Sequence, residues 1–208
     1  MFRVTEVSPY NKTKARVKLD SGFTFALYKG EISKYGIEID EYISEEKINL
    51  IVENVLKKRA KERALYLIGD AVKTKKQISD KLLKDYYPQS VIEYVMSFLE
   101  EYSFIDDYDY ASRYVMTYSE KKSVLQIKND LYKKGIEKSV IESVLSENDI
   151  DEDVSIEKLL GKSLVKYDLN DMKSKRKIYN MLLRKGYSYE CINRVFCRCV
   201  ESFFESTE

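Results

Sequence analysis

One helical unit occurs three times along this chain, and that repetition limits the folds open to it more than any other feature. Thr74-Lys75-Lys76-Gln77-Ile78-Ser79-Asp80-Lys81-Leu82 aligns with Ser123-Val124-Leu125-Gln126-Ile127-Lys128-Asn129-Asp130-Leu131, and both align with Ser174-Lys175-Arg176-Lys177-Ile178-Tyr179-Asn180-Met181-Leu182. The offsets are 49 residues, then 51. Without a gap, Tyr86, Gly135 and Gly186 coincide, then Val91/Val140/Cys191, Ile92/Ile141/Ile192 and Val95/Val144/Val195. Thr74, Ser123 and Ser174 are residue types that cap helix N-termini, and Gln77 and Gln126 stand where a capping box places its reciprocal partner. Lys177 breaks that box in the third copy. The Ile/Leu pairs four residues apart share one helix face. Gly135 and Gly186 suit the left-handed residue that ends a helix, so the copy carrying Tyr86 is expected to close differently. Pro88 suits the first turn of the following helix.

A further helix precedes each capped one, marked by Ala64, Leu65, Leu67 and Ile68, then by Ala111, Tyr114 and Val115. In the third copy the markers are Ile156, Leu159, Leu160 and Leu164. Each unit is therefore three helices in about 50 residues, small for an independent core. Ahead of the repeats the period changes. Arg3–Val7, Lys14–Leu19 and Phe23–Leu27 alternate as half-buried strands do, and Asp20-Ser21-Gly22 reads as a turn between the last two. A helix is expected from about Ser44, carrying Ile48, Ile51, Val52 and Val55. The expected fold is mainly α: three tandem three-helix repeats in an extended, curved array behind a small N-terminal β-hairpin region. The boundaries fall at 1–43 for the hairpin region, 44–56 for a linking helix, and 57–106, 107–155 and 156–208 for the repeats.

The sequence contains no histidine, which removes the commonest general acid/base and every Ser-His or Cys-His arrangement. No glycine loop suited to phosphates appears. Cys191, Cys197 and Cys199 have no second ligand cluster, so reduced thiols on helix faces are expected. No catalytic residue, metal or cofactor is expected; the chain reads as a binding protein and not an enzyme. Met1-Phe2-Arg3-Val4 leads into polar alternation and not a signal-peptide core, and no apolar run has membrane-span length, so the expected compartment is the cytoplasm.

Net charge is only +1 over 36 basic and 35 acidic residues, yet the charges are sorted into blocks. Residues 57–84 hold ten Lys/Arg against three Asp/Glu, and 85–110 hold seven acids and no base. Residues 111–140 carry seven bases against three acids, 141–157 seven acids and no base, and 158–198 eleven bases against three acids. Such alternation is compatible with ordinary solvated helices. It is equally compatible with a basic track facing phosphates or an acidic protein groove. The candidate track comprises Lys57, Lys58, Arg59, Lys73, Lys75, Lys76, Lys121, Lys122, Lys128, Lys173, Lys175, Arg176 and Lys177, most of them clustered where the capped helices begin. Helix N-termini beside lysines suit anions. Tyrosines near these blocks fit core or boundary positions better than base-stacking platforms.

The repeat pattern, together with the junction Tyr102-Ser103-Phe104-Ile105-Asp106-Asp107-Tyr108-Asp109-Tyr110-Ala111, resembles the RecX family. Ser103 stands where that family commonly has glycine. Gln126-Ile127-Lys128-Asn129-Asp130-Leu131-Tyr132-Lys133-Lys134-Gly135-Ile136 is similar to a second family block, with Asp130 in place of glutamate. The likeness spans essentially the whole chain. It implies a regulator that binds the RecA recombinase filament, and single- or double-stranded DNA directly or through the filament. It also implies modulation, chiefly inhibition, of recombinase and ATPase activity, restraining homologous recombination and the SOS response. A monomer without membrane attachment is expected. The alternative from the residues alone is a stand-alone nucleic-acid-binding helical-repeat protein.

Overall fold

In a computed structural model the chain divides into two compact units, Met1–Asp106 and Asp107–Glu208. The structure describes residues 1–164 and 171–205, with side chains for 1–163 and 171–199. The Leu164 side chain, residues 165–170 and residues 206–208 of the expected third repeat lie outside the described residues.

The first unit opens with strands β1 (Phe2–Pro9), β2 (Lys14–Leu19) and β3 (Thr24–Tyr28), then helix α1 (Lys29–Lys34) and strand β4 (Tyr42–Ile43). The expected hairpin region is thus part of an antiparallel four-stranded sheet ordered β3-β2-β1-β4. Only Phe2 and Arg3 of β1 pair with β4, and the β1–β2 register shifts between Val4 and Glu6. Helix α2 (Glu45–Ile51) begins where expected, because the Ser44 side chain accepts a hydrogen bond from the Lys47 N–H. It runs through a π-helical turn, Val52–Leu56, into α3 (Lys57–Asp70). Helices α4 (Lys75–Lys84) and α5 (Gln89–Glu101) complete the unit. Val17, Leu19, Phe25 and Leu27 from the sheet lie in the same buried cluster as Ile78, Leu82, Val91 and Leu99. At about 1.5–3 kcal/mol for each fully buried large aliphatic side chain, this common core makes the sheet integral to the first three-helix group.

The second unit holds α6 (Asp107–Tyr118), α7 (Val124–Lys133), α8 (Lys138–Glu147), α9 (Glu152–Leu164), α10 (Met172–Arg184) and α11 (Tyr189–Glu205). Two buried clusters correspond to two groups of three helices. Ala111, Val115, Ile127, Leu131, Ile141 and Val144 form one, and Ile156, Leu160, Ile178, Leu182, Ile192 and Val195 the other.

The caps follow the repeat in two copies. Thr74 and Gln77 form a reciprocal box at the start of α4, as do Ser123 and Gln126 at α7. The third copy differs. Helix α10 starts one turn earlier, and Asp171 is its N-cap, accepting from the Lys173 and Ser174 N–H groups. Ser174 is a first-turn residue whose hydroxyl donates to Asp171 at 2.8 Å. Aspartate caps as well as serine does, so the longer helix forms and Lys177 interrupts no box.

The helix ends also correct one expectation. Tyr86 takes the same left-handed conformation as the aligned glycines, with φ of 63° against 83° at Gly135 and 91° at Gly186. The following N–H closes the same bond in each copy: Tyr87 to Leu82 O, Ile136 to Leu131 O and Tyr187 to Leu182 O. A non-glycine residue there costs about 1–2 kcal/mol. Long-range ring contacts offset it: Tyr10 meets Tyr86 edge-on at 5.1 Å and the Arg16 guanidinium lies 5.4 Å from the same ring. Ser103 closes α5 in the same way, at φ 53°.

Candidate binding surface

The basic residues gather where α3, α4, α7 and α10 begin, and local sequence explains why. Each capped helix needs a Ser, Thr or Asp at its first position to satisfy orphan N–H groups. The residues flanking that cap are turn or first-turn positions that project to solvent. The starts of α4, α7 and α10 carry the positive end of the macrodipole, whereas α3 continues from α2 without a free N-terminus. Cations packed together at either are mutually unfavourable unless a carboxylate or an external anion relieves them. The structure sorts the thirteen candidates by how that relief is supplied.

Three are tied into the fold. Arg59 donates two hydrogen bonds to Glu31, one at 2.8 Å, and its guanidinium sits 4.3 Å from the Tyr28 ring, fastening α1 to α3. Lys122 donates to Asp130 at 2.7 Å and to the Tyr114 hydroxyl at 2.8 Å, 4.3 Å from the Tyr118 ring. Burial works to lower the Lys122 pKa, but these partners raise it on balance, and the hydrogen bond from Lys122 holds the Asp130 carboxyl below its ordinary value. Lys57 pairs with Glu53 at 2.5 Å and lies over the Tyr94 ring at 4.4 Å.

Two more sit in surface ion pairs, Lys75 with Glu100 at 2.6 Å and Lys128 with Glu142 at 3.4 Å. Lys73 and Lys175 are half-buried, and Lys73 also reaches the Ala71 carbonyl. Lys58, Lys76, Lys121, Lys173, Arg176 and Lys177 are exposed. Lys76 faces solvent in the first unit. Lys173, Arg176 and Lys177 do so together in the first turns of α10, beside exposed Met172.

The acidic blocks account for part of the charge alternation. Arg63 pairs with Asp85 at 2.9 Å and Arg198 with Glu157 at 2.5 Å, while Lys158 pairs with Glu120, an acid within a basic block, at 2.5 Å. Arg194 grips buried Asp153 through two hydrogen bonds of 2.7 and 2.9 Å, and these hold the Asp153 carboxyl below its usual range. Acidic and basic blocks therefore partly neutralise each other within the fold, which the linear sequence could not reveal. Arg63 and Arg194 are structural residues that charge counting passed over; each meets its carboxylate 22 or 41 residues away in sequence.

No histidine is available. Among the described residues no group of three or more His, Cys, Asp or Glu is arranged to hold a metal, and no helix is long and apolar enough to cross a membrane. The three cysteines are not joined in a disulfide; Cys197 is exposed and the other two are half-buried.

Comparison with known proteins agrees with this architecture. Residues 60–99 match the first three-helix domain of RecX and residues 151–196 match the third. A regulatory protein RecX of Clostridium botulinum (strain Eklund 17B / Type B) is 32% identical over 201 residues, covering 94% of this chain and 95% of that one. One from Clostridium perfringens (strain SM101 / Type A) is 32% identical over 197 residues, covering 93% of each. Among solved structures, a regulatory protein RecX superposes with a TM-score of 0.61 at 21% identity, covering 94% of this chain and 98% of the other. RecX from Lactobacillus salivarius gives a TM-score of 0.57 at 25% identity over 69% of this chain and 96% of the other. With near-complete coverage on both sides and three-helix groups at both ends of the match, the chain belongs to the RecX family of regulatory proteins.

Proposed function

We propose that this chain regulates a RecA-type recombinase filament, binding it and the DNA it carries and chiefly inhibiting its recombinase and ATPase activity. In this reading it works as a cytoplasmic monomer that restrains homologous recombination and the SOS response. The observation that supports it is a set of exposed, outward-facing cations: Lys58 and Lys76 in the first unit, Lys121, Lys173, Arg176 and Lys177 in the second. Solvent-facing cations, those of α4, α7 and α10 beside helix N-termini and Lys58 within a continuous helix, are suited to phosphates and to acidic protein grooves. The choice of RecA as the partner is inferred from the resemblance to RecX, not from the charge. The proposed working segments are 1–43, the linking helix 44–56 and three repeats at 57–106, 107–155 and 156–208.

Co-sedimentation with RecA–single-stranded DNA filaments tests the surface. Lys76→Glu and Arg176→Glu are expected to weaken binding with helical content unchanged, whereas wild-type binding by both variants moves the interface to another face. Repeating the titration across salt adds a check, since each phosphate contact contributes about 0.7–0.9 to the slope of log K against log salt. Steep salt-dependent DNA binding without any effect on RecA would instead favour the stand-alone nucleic-acid-binding reading.

A further inference from the structure

Two rows of aromatic residues follow a four-residue spacing, and their surroundings differ. On α6, Tyr110, Tyr114 and Tyr118 are half-buried and locked into the fold. Tyr114 donates to Asp130 and accepts from Lys122, and Lys134 lies 5.6 Å from two of the rings. That row is internal cement. On α5, Tyr94 and Phe98, with Tyr102 at the C-terminal cap, form the second row, continued by Phe104 just beyond the helix. Phe98 packs partly on the core, but Tyr94, Tyr102 and Phe104 are 40%, 59% and 46% exposed. The rings adjoin one another: Phe98 to Tyr102 at 4.9 Å, Phe98 to Phe104 at 6.0 Å, and Tyr102 to Phe104 at 6.2 Å with planes 19° apart.

Helix α3 runs alongside and supplies the cations. Lys57 lies 4.4 Å from the Tyr94 ring; Lys61 lies 4.2 Å from Phe98 and 5.5 Å from Tyr94, and exposed Lys58 belongs to the same turn of helix. Two carboxylates of α5 are already engaged, Glu100 by Lys75 and Glu93 by Gln89. Contiguous exposed aromatic surface marks an interaction site. Exposed Tyr102 and Phe104 rings next to ammonium groups seated over Tyr94 and Phe98 match what unpaired bases and their phosphates require: flat π-faces for stacking, and charge beside the backbone. A duplex keeps its bases stacked on each other and cannot use such a row.

The geometry points to Tyr102 and Phe104, flanked by Tyr94 and Phe98 with the Lys57 and Lys61 ammonium groups over them, as a stacking platform for single-stranded nucleic acid. This deepens the proposed function and rests on it, by assigning a single-strand contact to the first unit. Phe104 belongs to the segment between three-helix groups, so a strand seated here would run along the junction-proximal end of α5. Glu101, exposed and three residues after Phe98, and Glu53, paired with Lys57, are opposing charges on this flank.

The chain contains no tryptophan, which permits a direct test on the full-length protein. Tyr102→Trp keeps a stacking ring and reports on it; its emission is expected to be quenched on adding oligothymidylate. Tyr132→Trp, an exposed site on α7, is expected to be unaffected. Phe104→Ala should weaken oligothymidylate binding about 5- to 150-fold, the equivalent of one base–aromatic stack, with unchanged circular dichroism. Glu101→Gln should strengthen it. No quenching at position 102, equal quenching at both positions, or wild-type affinity in Phe104→Ala would each overturn the platform. Quenching at 102 in a protein that leaves RecA unaffected would keep the platform and sink the filament reading. Regulation of RecA without quenching would do the reverse.

Discussion

Gly186→Ala offers a demanding test of how the second and third helical groups meet. Two costs can be read from the structure. Gly186 has φ of +91°, and an L-residue held there costs about 1–2 kcal/mol. Its neighbours add a second cost, because an added Cβ would stand 2.8 Å from Leu125 Cδ2, 3.0 Å from Leu125 Cβ and 3.2 Å from Ser123 Oγ. These atoms belong to the start of α7, which is fixed here by the Ser123 hydroxyl donating to the Lys185 carbonyl at 2.6 Å and by Glu152 accepting the Val124 N–H at 2.7 Å. Overpacking of a held neighbour costs about 1–3 kcal/mol, so the total is about 2–5 kcal/mol. Gly22→Ala is the control: its φ of +84° carries the same backbone cost, but nothing lies within 4 Å of its added Cβ. Urea unfolding followed by circular dichroism, with hydrogen exchange of α10 and α11 amides, compares the two. Gly186→Ala should lose clearly more stability, in α10 and α11 first. Equal losses would mean that the start of α7 does not press on this turn.

Other outcomes follow from the same geometry. Arg59→Ala should cost about 1–3 kcal/mol through the lost Glu31 hydrogen bonds, while Lys58→Ala should stay within about 0.5 kcal/mol; equal effects in chemical denaturation would refute the sorting of cations. Ser103→Gly should stabilise by up to about 1 kcal/mol, because it relieves a left-handed residue at the end of α5; a lower melting temperature would contradict this. Hydrogen bonds from Arg194 and Lys122 hold Asp153 and Asp130 below the ordinary aspartate value of 3.8 in the fold. Their stabilisation is therefore complete above that value and is lost as pH falls from about 4 through the lowered folded-state values. Asp153→Asn and Asp130→Asn should flatten the acid limb of a stability–pH curve, and a limb as steep as wild type would count against both pairs.

What the sequence disclosed, and what it withheld, divides along the range of the interactions involved. The Thr74–Gln77 and Ser123–Gln126 boxes span three residues, and Ile78/Leu82, Ile127/Leu131 and Ile178/Leu182 span four, so local spacing suffices to place them. Asp171 was hidden because gapless alignment of the repeats pointed to Ser174, and either residue type caps a helix. Strand β4, two residues long, offers no period to detect. The left-handed closure at Tyr86 is not legible locally because the groups that pack on its ring, Tyr10 and Arg16, lie 70 or more residues away. The candidate surface was legible as composition but not as geometry. Helix starts rich in lysine announce themselves, yet only the fold shows that Arg59, Lys57 and Lys122 are tied to nearby carboxylates while Lys76 and Arg176 face outward. The exposed aromatic row on α5 carried the same four-residue spacing as the half-buried row on α6, and burial alone separates them.

The most direct measurement of the central claim is single-stranded-DNA-dependent ATP hydrolysis by RecA, titrated with this protein up to stoichiometric ratios. The account predicts a progressive fall in hydrolysis that Arg176→Glu and Lys76→Glu shift to higher protein concentration. A hydrolysis rate unchanged at stoichiometric protein would contradict it.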